Sequence, residues 1–168
     1  MRVQEMFEVV LNSTAFKEWE KTHQESFLSS FFITHGGGKR EVQLDFYNTP
    51  TDTISSFALA KENVSLLQDE ETIVKEKEVK ISKLDLSQVA IEEERVRETV
   101  RTVKESKYER ESISKIILIL QNLDRPLWNV NAITNSCNLL HLKINAATGE
   151  VMEEKFDSII SLKGSRQT

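Results

Sequence analysis

Three histidines, one cysteine and a scatter of carboxylates are the groups in this sequence that could do chemistry. His23, His35 and His141 lie far apart, and none has another histidine two, three or four residues away. Zinc sites legible in a sequence rest on such short spacings, so a metal centre would need assembly by tertiary contact alone. His35-Gly36-Gly37-Gly38 has the composition of the oxyanion loop of some esterases. That loop works only beside a serine on a Gly-x-Ser-x-Gly elbow, and the sequence holds no such elbow. The glycine run is better explained as a flexible turn between two strands. Cys137 is the single cysteine, which excludes an intrachain disulfide and a thiolate-rich zinc site. Nothing near it in sequence would activate a thiolate, and Ser136 and Asn138 place it near a hairpin turn. Glu41 and Asp45 could join Asp52 in a carboxylate cluster. Strand alternation puts Glu41, Gln43 and Asp45 on the wet face, however, whereas acid–base work needs desolvated groups. No catalytic, cofactor-binding or metal-ligating residue is assigned, no cofactor is expected, and the chain is more simply a non-enzyme.

Composition narrows the partners. The chain has 168 residues, 39% hydrophobic and 29% charged, as expected of a folded protein. Its net charge is −5, with about −4 in residues 1–84 and −1 in residues 85–168. Neither half has the basic excess that a phosphate backbone demands, so nucleic acid is not an expected partner. The longest apolar run, Ile116–Leu120, is far short of the roughly 20 residues of a membrane span. The amino terminus is interrupted by Gln4, Glu5 and Glu8 and lacks the apolar stretch of a signal peptide. A cytoplasmic protein is expected from the chain as it stands, and an extracytoplasmic one if an export signal or anchor was removed.

The elements that would position these groups follow from periodicity. Val3, Met6, Phe7 and Val10 recur at helical spacing, and the pattern continues to Trp19, predicting a helix over about residues 3–22 with a bend near Asn12-Ser13-Thr14. Phe27–Ile33, Val42–Phe46, Ile54–Ala60 and Val64–Leu67 read as strands separated by turn residues. Residues 69–83 are densely charged. Lys75, Lys77, Lys80 and Lys83 could form a basic patch, but Glu76 and Glu78 interrupt it, and a solvated connector is the plainer explanation. Asp85 or Ser87, with Gln88, carries capping chemistry for a second helix whose inner face would hold Val89, Val96, Val100 and Val103. Strands at Ile116–Leu120, Trp128–Ala132, Leu140–Ala146 and Val151–Phe156 follow.

The order helix then meander thus occurs twice. Sliding the chain by 86 and then 87 residues brings apolar positions and turns together, with Val42 on Trp128, Leu44 on Val130 and Phe57 on Ile144. The expected fold class is α+β, with two tandem repeats, each a helix packed on an antiparallel β-meander; the units would span residues 1–75 and 76–168. Phe27–Ile33 and Ile116–Leu120 carry little charge, so each must be central or covered, by the other repeat or by a second chain.

Leu127-Trp128-Asn129-Val130, then Leu140 to Asn145 and Ala146-Ala147-Thr148-Gly149-Glu150-Val151, resembles the carboxyl half of PepSY domains over about residues 88–156. Asn145 stands where that family prefers aspartate, and Lys61-Glu62-Asn63-Val64 in the first half lacks the glycine. The resemblance implies a cystatin-like helix on a sheet, often in tandem, largely extracytoplasmic or membrane-tethered. It also implies a non-catalytic module that binds or restrains peptidases or other partners. It transfers no functional residue. The expected function is therefore protein–protein binding or regulation, with self-association or a homodimer through an exposed sheet edge as one form. The alternative is a small-ligand carrier or small enzyme with an apolar pocket between helix and curved sheet, lined by Trp19, Phe31, Phe32, Phe46 and Phe57.

Overall fold

Ser13 divides what the apolar spacing would otherwise make one helix. Its backbone is extended, and its hydroxyl accepts a hydrogen bond from Phe16 N at 3.1 Å while donating to Val10 O at 2.6 Å. Two helices result, α1 (Val3–Asn12) and α2 (Thr14–Glu20), both burying their apolar sides. The computed structural model describes residues 1–73 and 80–160. The strands after α2 are β1 (Ser26–Gly36), β2 (Lys39–Asn48), β3 (Thr53–Ala60) and β4 (Asn63–Thr72). Helix α3 (Glu93–Lys107) precedes β5 (Ile113–Leu123), β6 (Arg125–Thr134), β7 (Asn138–Asn145) and β8 (Val151–Ser158).

These strands form one antiparallel sheet of eight, ordered β4-β3-β2-β1-β5-β6-β7-β8. Two tandem helix-on-sheet repeats were expected, and the sheet corrects that architecture. β1 pairs directly with β5, with Phe31 opposite Leu120 and Ile33 opposite Leu118, so the sheet and its core run unbroken through the middle. The reason is visible in composition. Phe27–Ile33 and Ile116–Leu120 have too few charges to tolerate an open edge, and each satisfies its backbone on the other. The expected boundary at residues 75 and 76, with Lys75, Glu76, Lys77 and Glu78, lies outside the described residues. Residues 69–72, expected in the connector, belong to β4.

Register alternation builds the core on one face. Phe57, Leu44, Phe31, Leu120, Trp128 and Ile144 form one row across the sheet, and Leu59, Val42, Ile33, Leu118, Val130 and Leu142 form the next. Val3, Met6, Val10, Phe16 and Trp19 cover the β1–β4 side, and Val96 and Val100 of α3 join the same core. Phe16, Trp19, Phe46 and Phe57 touch one another at ring separations of 5.0 to 5.6 Å. They are thus packing partners, with Phe16 and Phe46 also edging an open groove beside the helices, and Phe32 faces away from them on the opposite side of β1.

The second helix begins later than its capping residues suggest. Asp85 accepts from Ser87 N at 3.0 Å, but this closes only a single 3-10 turn at Leu86–Gln88. Ala90 N and Ile91 N then both donate to Ala146 O, which holds the chain extended until Glu92. Val89 accordingly lies before the helix. Leu84 is fully buried and donates its N–H to Leu28 O at 2.9 Å, tying this segment to the core. Likewise β1 continues through His35 and Gly36. The turn is only Gly37 and Gly38, both at positive φ, as a tight hairpin requires.

Candidate functional site: the uncovered sheet face

All described helices pack on one face of the sheet, and the other face meets solvent. In the row through its centre, Gln43 lies beside Phe32, Phe32 beside Ile119, Ile119 beside Asn129 and Asn129 beside Lys143. The adjoining row runs Glu41, Thr34, Ile117, Asn131, His141 and Lys155. Phe32, Ile117 and Ile119, all half-buried, therefore form an apolar centre across the β1–β5 join. Amides and hydroxyls surround them.

Hydrogen bonds fix much of this polar frame. The Asp45 carboxylate accepts from Gln43 Nε2 at 2.7 Å, Ser56 Oγ at 2.7 Å and Ser30 Oγ at 3.2 Å. His141 Nδ1 lies 2.9 Å from Asn131 Oδ1. Burial lowers the pKa of His141, outweighing the attraction of Glu153, and the ring is half-buried on this face. Glu153 bridges Lys143 at 3.0 Å and Lys155 at 2.8 Å. Hydrogen bonds from Lys155 and Lys143 hold its carboxyl down to about 2. Asn129 Oδ1 is shielded from water and accepts no hydrogen bond among the described residues.

Other groups with chemical potential serve the fold. His35 Nε2 bonds the Glu93 carboxylate at the foot of α3, and Arg40 clamps that carboxylate through Nε at 3.0 Å and Nη2 at 2.5 Å. Burial alone would raise the Glu93 pKa, but Arg40 and His35 overcome it and hold the group below the ordinary carboxylate range. His23 stacks on Trp19 at 4.4 Å and faces Asp69 and Glu70 at 3.3 and 3.4 Å. Ser55 Oγ donates to Asp69 and not to His23, so the three do not make a nucleophile–base pair. Cys137 is exposed in the β6–β7 turn at positive φ. Glu41, Asp45 and Asp52 do not assemble; Asp52 bonds Tyr47, while Asp45 holds its own three donors. Among the described residues no group of three or more His, Cys, Asp or Glu could hold a metal ion.

The two outer edges, where docking was expected, are guarded. β4 leaves register with β3 at two places, and Glu70 there has positive φ. Such bulges turn an edge away from a new strand. β8 carries Glu153, Glu154 and Lys155. An open groove of about 660 Å³ does exist beside α1 and α2, lined by Phe7, Leu11, Phe16, Phe46 and Leu86 among others.

From the sequence, Glu41, Gln43 and Asp45 are expected on the wet face with no function, and Phe32, under the alternative function, in a pocket on the helix side, whereas the structure puts all four on the uncovered face. A signal was present: in Ile116–Leu120 both strand parities are apolar, which requires something apolar on each side of β5.

No family model matches the chain, and no curated protein matches it. Among solved structures, the fold is similar to that of a "putative lipoprotein" from Clostridium difficile 630, with a TM-score of 0.55 and 12% sequence identity. The alignment covers 85% of this chain and 90% of that one. No described helix is long and apolar enough to cross a membrane.

Proposed function

We propose that the chain is a non-catalytic protein-binding module acting through the uncovered sheet face. One observation carries this: Phe32, Ile117 and Ile119 make an apolar centre framed by amides and charges, the anatomy of an interface with a dry core and a polar rim. The sheet's rigidity supports it, since side chains on paired strands are held in fixed register. Restraint of a peptidase is the form of binding that the PepSY resemblance implies, and the lipoprotein neighbour favours an extracytoplasmic setting.

A photo-crosslinking residue at Phe32 tests the proposal in cells that express the chain. A discrete protein adduct is expected there, and none from the same probe at Arg101 on α3. Equal labelling at both positions, or at neither, refutes it.

The groove beside α1 and α2 favours a second function, carriage of a small apolar ligand. Native mass spectrometry of the purified protein tests it, and a stoichiometric bound ligand lost on Leu11→Asp substitution is the supporting result.

A further inference from the structure

We infer that the occupant of the uncovered face is a second copy of this chain, docked sheet to sheet about a two-fold axis along the β1–β5 join. The inference rests on the proposal that this face is the binding surface. Such an axis keeps each row of side chains at its own height and exchanges left for right. β2 of one copy then lies over β6 of the other, and β3 over β7. Phe32 meets Ile119 of the second copy and Thr34 meets Ile117, so the apolar centre closes on itself.

The polar rows complement each other under the same operation. Gln43 comes over Asn129 and Glu41 over Asn131, so side-chain amides of one copy face polar groups of the other. Charge follows the same pattern. On the β1–β4 side the face carries Glu41, Asp45 and Glu71 against Lys39; on the β5–β8 side it carries Lys115, Lys143 and Lys155 against Glu153 and Asp157, with His141 between. The axis sets the acidic side of each copy over the basic side of the other, with Glu41 directly over Asn131 and, in the same row, His141 one strand and Lys155 two strands beyond.

The area suffices. Eight strands spaced about 4.8 Å apart, each of about eight residues at 3.3 Å, present roughly 1,000 Å² per copy. A stable interface needs about 800 Å² per partner. Two sheets stacked about 10 Å apart in this way form the layer arrangement of a sandwich.

Sedimentation velocity on the full chain, from micromolar to millimolar concentration, tests this. The wild type is expected to sediment as a dimer, and Ile119→Lys as a folded monomer by circular dichroism. At low salt, Glu41→Lys and Lys155→Glu are each expected to weaken self-association through the field between the two sides, and an equimolar mixture of the two to recover the dimer. That recovery keeps the test decisive even should Ile119→Lys fail to fold. A wild type monomeric at millimolar concentration overturns the inference. So does a dimer that survives Ile119→Lys and is lost with Leu67→Lys on the β4 edge. Should a Phe32 probe label a different protein while the chain itself stays monomeric, the binding function stands and the second copy falls.

Discussion

Replacing Glu93 by Gln should expose how α3 is anchored. The carboxylate is 12% exposed and takes two hydrogen bonds from Arg40 and one from His35. Removing one member of a buried pair costs about 3–5 kcal/mol, because the partner is left as an uncompensated charge. Arg40 is 40% exposed, so water recovers part of that penalty. We therefore take a cost of about 2 kcal/mol, below that range because of the solvent screening. For a chain of this length such a loss lowers Tm by about 4–8 °C at neutral pH. The pH dependence has a definite sign. Arg40 and His35 hold the Glu93 carboxyl below its ordinary value of 4.5, so the folded chain binds its proton less readily than the unfolded chain. Its contribution is complete above 4.5 and disappears as the pH falls through the lower folded value. Urea unfolding of wild type and Glu93→Gln, repeated from pH 7 to pH 3, should give a stability gap that narrows below about pH 4.5. Glu94→Gln, one residue along on the exposed side, is the control and should change little. A gap that persists undiminished at pH 3, or one below about 0.5 kcal/mol at pH 7, would refute the anchoring argument.

Trp128 is fully buried and donates Nε1 to Ile91 O at 2.8 Å, so Trp128→Phe should cost about 2 kcal/mol in denaturant unfolding through an orphaned carbonyl and lost volume. Gly149 sits at φ +82°, and a Cβ there would stand 3.4 Å from Ile91 Cδ1; Gly149→Ala should destabilise by about 1 kcal/mol, read as a lower midpoint at unchanged m. Asn145→Ala should cost a similar amount, about 1 kcal/mol, because Asn145 Oδ1 accepts from Ala147 N and Thr148 N in the same turn, while Asn145→Asp should be tolerated. Carboxyl NMR should find Glu153 titrating near 2, and Lys155→Met should raise that value; a Glu153 resonance at 4.5 in the wild type would contradict the bridging geometry.

Local patterns were legible in the sequence and long-range choices were not. Alternation in Val42–Phe46 and Leu140–Ile144 marks which side chains face the core, and the bend expected near Asn12-Ser13-Thr14 lies where the helix breaks in two, because the Ser13 hydroxyl caps the first turn of α2. The charge-poor stretches Phe27–Ile33 and Ile116–Leu120 announced that they needed cover. That they would cover each other is a pairing between distant parts of the chain, and no local propensity encodes it. The start of α3 was misplaced for a related reason. Asp85, Ser87 and Gln88 carry real capping chemistry, but the donors of Ala90 and Ile91 are claimed by Ala146, more than fifty residues away. The uncovered face escaped notice because alternation says only that Gln43, Asn129 and His141 point away from the core. It does not say that Phe32, Ile117 and Ile119 join into a patch there.

Among the described strands, the β1–β5 pairing alone links the two ladders, and this sets the order of events when the chain is made. Every other strand pair joins neighbours across a short turn and can form quickly. Phe31 and Leu120 stand 89 residues apart, and closing a loop of that size costs about 4 kcal/mol of chain entropy. During translation the first ladder is complete at Thr72 while β5, ending at Leu123, is still unmade, and at 5–20 residues per second the wait lasts about 3–10 s. For that interval Phe31-Phe32-Ile33 is a bare hydrophobic margin on a nascent chain. Slower elongation prolongs the exposure and crowding by sister chains on one message exploits it, so yield of soluble protein should fall as elongation slows or as more chains are made at once, before any property of the finished fold comes into play.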